Sequence, residues 1–367
     1  MVKFRKAFRR LQDPRAANAQ HDLLDVLLIA LAAVLCGATG ATDMALFARS
    51  KEDLLRQFLP LEHGVPSHDT FSRVFRLLEP EAFEAAFRRF MSAFAKANGL
   101  ALGGVVAVDG KAVRGAYERG RAATPLHLVN VFAIEARLAL ASRKAPGRNE
   151  VQGALEILQM LSLEGCIVTA DALHCHRAFA TLVRDRGGDF ILALKRNQSK
   201  LFNHAVRRFA RSGKRSVAQR HEASTHDRQE TRRATVIRDT TFVTAKLFPG
   251  VAAIARITSR RRLKGKPAEK PMVHYYLLSK YMSATRFLRA QRSHWHIENR
   301  MHWLLDVVFN EDASRARKDY GPENLATLRR LALNLVRSHP ATISMRQKVK
   351  RAGWDDAFLL DLLGHMR

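Results

Sequence analysis

Gly103–Gly110 reads GGVVAVDG, and Gly165–Ala172 reads GCIVTADA. Each is a short run of β-branched and small residues that closes on an aspartate, Asp109 in the first and Asp171 in the second. Such runs, punctuated by glycine, predict core strands with a carboxylate at the strand end. Between them, HLVNVFAIEA (127–136) and RLALASRK (137–144) predict two more strands joined by a tight turn near Glu135–Arg137. Glu150–Leu161 predicts a helix with Val151, Leu155 and Leu158 on one side. After Asp171 come a helix to about Arg186 and the strand DFILALK (189–195).

The resulting order is β-β-β-α-β-α-β, with acids ending the first and fourth strands. That is the ribonuclease H-like plan: an α/β fold with a mixed sheet and flanking helices. A Rossmann-like fold is the competing reading, but no GxGxxG follows the first strand.

Upstream, residues 1–100 predict an all-helical N-terminal domain. The uncharged run Val26–Thr42 falls just short of a membrane span and is preceded directly by Asp25, so it reads as a buried helix. Its basic leader is separated from it by QDPRAANAQHD, which does not suit a secretion signal. In HGVPSHDTFSRVFRLLEP (63–80), Ser67 or Asp69 is the expected N-cap; Phe71, Val74, Phe75 and Leu78 then make an amphipathic stripe ended by Pro80. A second amphipathic helix follows to about Lys96. Short basic helices joined by tight turns suit a helix-turn-helix reader or a bundle that supports the next domain.

Downstream, residues 197–285 turn polar and basic. Arg207, Arg208, Arg211, Lys214 and Arg215 form one cluster, and Arg260, Arg261, Arg262, Lys264 and Lys266 another. TRRATVIRDT, GVAAIARITSRR and MVHYYLLSK alternate like strands, which predicts a mostly β insertion presenting basic loops to phosphates. A long helix then starts near Ser283 and resumes through RSHWHIENRMHWLLDVVF (292–309). There Ile297, Met301, Leu304 and Val308 form an apolar stripe, and His294, Glu298 and His302 share another face. The amphipathic PENLATLRRLALNLVRS (322–338) closes a catalytic domain spanning 101–340; 341–367 is a tail.

Sixty-two Lys and Arg against 34 Asp and Glu leave a net charge of +28 over 367 residues, spread along the whole length. That excess points to a polyanionic partner such as nucleic acid. Hydrophobic residues make up 47% of the chain, which excludes a disordered polymer. Cys36, Cys166 and Cys175 contain no CxxC pair, which argues against a zinc site or disulfide framework and fits a reducing cytoplasm.

Cutting a phosphodiester without a covalent enzyme intermediate requires an activated oxygen nucleophile and stabilisation of the leaving oxygen, tasks suited to divalent ions held by a few carboxylates. Asp109 and Asp171 meet the strand-end requirement. Glu298 is distinguished from the competing acids Asp306, Glu311 and Asp312 by its apolar and aromatic neighbours and its two histidines.

The strings VDGKAVRGA (108–116), HLVNVFA (127–133), RNEVQGALEIL (148–158), IVTADALHCHRAFA (167–180), ILALKRNQ (191–198), RSHWHIENRMHWLLDVVFNEDASRAR (292–317) and GPENLATLRRLALNLVR (321–337) carry a resemblance. Together with HGVPSHDTFSRVF, they resemble the ISAs group of insertion-sequence transposases, the H-repeat-associated proteins, relatives of the larger four-group of DDE transposases. The likeness runs in order from about Asp22 to Arg337. It implies that Asp109, Asp171 and Glu298 are the catalytic and metal-binding acids, that Mg²⁺ is the cofactor with Mn²⁺ substituting, and that a β-rich insertion separates the second acid from the third.

The implied partners are double-stranded DNA, as terminal inverted repeats and target, and further copies of the chain, a homodimer or larger on DNA, with no membrane. The implied location is cytoplasmic and nucleoid-associated. The alternatives are a ribonuclease H-like nuclease without strand transfer and a transposase-derived DNA-binding protein. Lys111, Arg114, Lys195, Asn197, Arg292, His294, Arg300 and His302 are the expected DNA contacts. Departures exist: the wider group carries Tyr, Arg and Lys where Gln291, His294 and Leu305 stand, and DALHCHR replaces DAMGCQ, adding His174 and His176 as exposed polar residues at a helix start.

Overall fold

The computed structural model describes residues 2–100, 103–118, 121–211, 215–223, 228–244, 246–264 and 267–364. Lys214 and Lys266 of the two basic clusters lie outside them.

Helices α1 (Val2–Phe8), α2 (Leu23–Leu35), α3 (Ala41–Ser50), α4 (Glu52–Arg56), α5 (His68–Leu77) and α6 (Pro80–Ala97) lead the chain. Asp22 caps α2 by accepting from the Asp25 N–H, and every residue of the helix but Leu24 is buried. Thirteen residues extend only about 20 Å, short of a ~30 Å hydrocarbon core. Among the described residues, no helix is long and apolar enough to cross a membrane. Ser67 is the cap of α5, accepting from the Thr70 N–H, and Phe71, Val74 and Phe75 are its buried face. Phe4 and Phe8 of α1 stack at 4.3 Å and meet Phe90 and Phe83 of α6, which draws the basic leader into the core.

The central order is as expected: β1 (Gly104–Glu118), β2 (Arg121–Ala133), β3 (Leu138–Lys144), α7 (Glu150–Gln159), β4 (Cys166–Ala170), α8 (Arg177–Asp185) and β5 (Asp189–Leu194). β1 continues past Asp109 through KAVRGAYE. After it come α9 (Ser199–Arg211), β6 (Ser216–Ala223), β7 (Arg228–Arg238), α10 (Thr241–Thr244), β8 (Ala253–Leu263) and β9 (Met272–Leu278). The chain then runs through α11 (Ala284–Ser293), a π-helical turn Glu298–His302, α12 (Trp303–Val307), α13 (Gly321–Ser338), α14 (Met345–Trp354) and α15 (Asp356–Gly364).

The strands form a nine-stranded mixed sheet in the order β3-β2-β1-β4-β5-β9-β8-β7-β6. The strands expected in an insertion are thus continuous with the core sheet. β5 is buried along most of its length, and β9 satisfies its far edge in antiparallel register, Ile191 opposite Leu278 and Leu194 opposite Tyr275. Arg260–Arg262 lie on β8, where Arg261 faces Glu230.

The chain resolves into two compact units, one of Met1–Leu102, Gly110–Gly153 and Glu298–Arg367, the other of Gly103–Asp109 and Ala154–Ile297. In the first, α13 lies among α2, α5, α6 and β3 and is buried nearly all round. The expectation is an amphipathic helix; Arg330 is fully buried, donating to Glu311 at 2.7 Å, to Asn130 Oδ1 at 2.8 Å and to the Ala326 carbonyl. A buried cation persists where its donors are matched in this way. In the second unit, β1, β4 and β5 run parallel, with Val105 opposite Ile167 and Ile167 opposite Asp189. Phe179 and Val183 of α8 and Phe287 of α11 are buried within it, Phe287 edge-on to Tyr276 at 5.2 Å.

Candidate active site

In the second unit the last paired position of β1 and β4 is Val108 opposite Ala170. Asp109 and Asp171 are the next residue on each strand, so the two acids emerge side by side from strands about 4.8 Å apart. Both are partly exposed. Asp171 also caps the 3₁₀ turn Ala172–His174, its Oδ1 accepting from the Leu173 N–H at 2.8 Å. That bond fixes the carboxylate at the strand end. β5 runs parallel to β4, so Lys195 and Asn197, just beyond its end, open at the same end of the sheet and are exposed.

His294, at the end of α11, brings Nδ1 to 3.1 Å from Thr169 Oγ1, whose hydroxyl lies 3.3 Å from the Val106 carbonyl. With that hydroxyl proton donated to Val106, the threonine oxygen accepts from His294 Nδ1–H. Burial drives the imidazole pKa down to about 4 against the opposing pull of Asp171. The residue standing where the wider group has arginine is therefore a neutral hydrogen-bond donor. His174, expected to be exposed, is buried with its ring 5.5 Å from Phe179, while His176 is exposed at the start of α8. Arg292, on α11, is partly exposed.

The other expected residues belong to the first unit. Glu298 is exposed and opens the π-helical turn. His302 ends that turn buried, its Nε2 3.4 Å from Asn130 Nδ2. Arg300 is partly exposed, and its carbonyl accepts from Arg337. Lys111 is buried and held by Asp306 at 2.7 and 2.8 Å and by Asp312 at 3.3 Å. Arg114 is exposed, its Nε 3.6 Å from the Asp312 carboxylate.

Sequence reading passed over one constellation. His127 of β2 pairs with Glu150 at the start of α7, and that carboxylate lies over Gly110, the residue after Asp109. A Cβ at Gly110 would sit 2.3–2.5 Å from the Glu150 carboxyl atoms, so a side chain there would have to displace that carboxylate from His127. His127, Glu150 and Gly110 all fall in strings quoted above, but their contact joins residues far apart in the chain.

Among the described residues, no group of three or more His, Cys, Asp or Glu is gathered so as to hold a metal ion. The adjacent pair Asp109 and Asp171 nonetheless offers the hard oxygen donors that suit Mg²⁺, which takes one or two carboxylates and completes its shell with water and phosphate.

Residues 101–335 match the Transposase DDE domain family, and residues 5–91 match the DDE_Tnp_1-associated family. This chain belongs to the DDE transposase family. The H repeat-associated putative transposase YhhI of Escherichia coli (strain K12) is 30% identical over 359 residues, 94% of this chain and 93% of that one. The putative transposase YncI of Escherichia coli O157:H7 is 31% identical over 327 residues, 87% of this chain and 83% of its own. A protein of Xanthobacter autotrophicus described as an uncharacterized protein in the dhlA 3'region is 42% identical over 270 residues, 71% and 89% of the two chains. For a DDE transposase, the mixed sheet is consistent with the ribonuclease H-like fold expected above.

Proposed function

We propose that this chain is an insertion-sequence transposase that cuts DNA at the element's terminal inverted repeats and joins the released ends to target DNA. The observation that carries this reading is the pair Asp109 and Asp171, each directly following the last paired position of parallel β1 and β4, within the segment matching the transposase family. Glu298, carried over from the resemblance, is proposed as the third acid. Mg²⁺, with Mn²⁺ able to substitute, would polarise the attacking oxygen and neutralise the leaving one.

In the first step a water oxygen bonds to phosphorus at the element end, the P–O3′ bond breaks, and the 3′ oxygen takes a proton to leave as a hydroxyl. In the second, that hydroxyl bonds to a target phosphorus, loses its proton and expels a target 3′ oxygen. Asp109 and Asp171 would hold the reacting phosphate's surroundings rigid, one within a strand and one at a capped turn. Lys195, Asn197 and Arg114 have the exposure that phosphate contact requires, as do the partly exposed Arg292 and Arg300. Lys111, His294 and His302, being hydrogen-bonded or ion-paired within the protein, support the reading better as positioning groups. Synapsis of two ends calls for a homodimer or larger assembly on DNA, in the cytoplasm at the nucleoid.

The test is incubation of purified protein with DNA carrying both element ends and a target, in Mg²⁺, beside Asp109→Ala and Asp171→Asn. End cleavage with joining, absent in both variants, is the expected result. Nicking that ignores the ends would replace the reading with a general nuclease, and binding without cleavage in Mg²⁺ or Mn²⁺ with a DNA-binding protein.

A further inference from the structure

The first unit contains a cleft of about 870 Å³ between the start of α3, the buried face of α5 and the segment Asn310–Gly321 that leads into α13. Its floor is apolar, with Phe71, Phe75 and Leu325 all buried. Its walls carry Arg76, Arg315, Arg317 and Lys318, and no aspartate or glutamate lines it.

The walls are built rather than incidental. Buried Arg329 reaches beneath the cleft to the Thr39 carbonyl at 2.9 Å and Ser314 Oγ at 3.3 Å, tying the approach to α3 to the 310–321 segment. Arg76 grips the far end of that segment twice: its Nε donates to Asp319 at 2.7 Å and its carbonyl accepts from the Tyr320 N–H at 3.2 Å. Arg317 donates to the Gly115 carbonyl at 2.9 Å and lies 3.8 Å over the Tyr117 ring. Gly115 permits this approach, because a Cβ there would fall 2.6–2.7 Å from the carbonyls of Ser314 and Asp312. Two of the four cations, Arg76 and Arg317, are thus committed to holding the wall. Arg315 and Lys318 are exposed and make no ion pair among the described residues.

We propose that this cleft is a binding site for the DNA sugar–phosphate backbone, with Arg315 and Lys318 contacting phosphates. Exposed cations without an ion-pair partner, carried on a segment that Arg76 and Arg329 hold in place, suit phosphate, and the DNA-processing reading makes a nucleic-acid strand the occupant rather than a free inorganic anion. The assignment rests on the DNA-processing reading above and adds a contact in the unit that does not contain Asp109 and Asp171.

The experiment is fluorescence anisotropy of the full chain with a labelled duplex, over a salt series from about 50 to about 200 mM, comparing wild type with Arg315→Gln/Lys318→Gln. Two lost phosphate contacts should make the slope of log affinity against log salt shallower by about 2, so that the variant's affinity deficit shrinks about tenfold between the lowest and highest salt. Arg315→Lys/Lys318→Arg, which keeps the charges, should restore the slope. Arg346→Gln/Lys350→Gln, two exposed cations of α14, should leave it unchanged. An unchanged slope in the cleft variant overturns the site while leaving the transposase reading intact, and an equal loss in the α14 variant overturns it as a mere net-charge effect. A shallower slope in the cleft variant from a protein that never cleaves in Mg²⁺ supports the cleft and removes the transposase reaction. Absence of any DNA binding by the wild type ends both.

Discussion

The Glu150 carboxylate lies where a Cβ on Gly110 would be, directly after Asp109. Gly110→Ala is expected to cost about 1–3 kcal/mol by overpacking, read as a lower urea midpoint, and to reduce cleavage by displacing the Asp109 strand end. Adding Glu150→Ala should recover part of the stability; no recovery would mean that the Glu150 contact is not the cause. Glu84, buried beside Arg88 at 2.7 Å, makes a pH-dependent case. Burial raises its pKa above the ordinary 4.5, with Arg88 opposing. The folded state therefore holds the proton more tightly than the unfolded one, so this contribution is fully present below 4.5 and is lost as pH rises through the folded value. Glu84→Gln mimics the protonated form, so its stability advantage over wild type should be largest at neutral pH and shrink towards pH 4.5. An advantage that does not shrink on acidification would show that the Glu84 charge is not what costs stability. At this scale the strand runs leading to Asp109 and Asp171 were legible because composition is local; that β1 runs on past Asp109 to Glu118 was not. Glu150 was not, because a glutamate in a first helical turn has many ordinary uses.

Among the elements, the segment around Glu298 departs most from its sequence pattern. A regular helix predicts Ile297, Met301, Leu304 and Val308 on the buried face; the buried residues are Ile297, Met301, Leu305 and Phe309, with Leu304 and Val308 half-buried. The π-helical turn Glu298–His302 absorbs one extra residue, so the buried face steps on by one. Deleting Asn299 would place the four buried residues at i, i+3, i+7 and i+11, a regular α stripe, while turning Glu298 by about 100° relative to Met301, Leu305 and Phe309. The expected outcome is a circular dichroism spectrum and melting temperature close to wild type with cleavage lost. Retained cleavage would dismiss the placement of Glu298 as the reason for the turn. The helical stripes of α5 and the burial of α2 were legible because 3.6-residue periodicity is local. The burial of Arg330 on α13 was not, since only Glu311 and Asn130 make it tolerable.

For the whole molecule, the net charge of +28 sets how association with DNA responds to ions. With six to ten phosphate contacts, affinity for duplex should fall about 10³–10⁵-fold between about 50 and about 200 mM salt, measurable by anisotropy on the Asp109→Ala protein without cleavage. A nearly flat dependence would contradict recognition through the phosphate backbone. The sequence by itself determined the β-β-β-α-β-α-β order, the helical first hundred residues, the basic character and the family, because composition, period and motif order are carried by neighbouring residues. Only the tertiary structure decided that β6–β9 continue the sheet from the β5 edge, that Lys111 is held by Asp306 and Asp312, that Glu150 closes over Gly110, and that Arg76 and Arg329 frame a basic cleft. Each of these depends on which edge, charge or cavity a distant segment happens to satisfy, and no local pattern encodes the partner of a buried charge or an open strand edge.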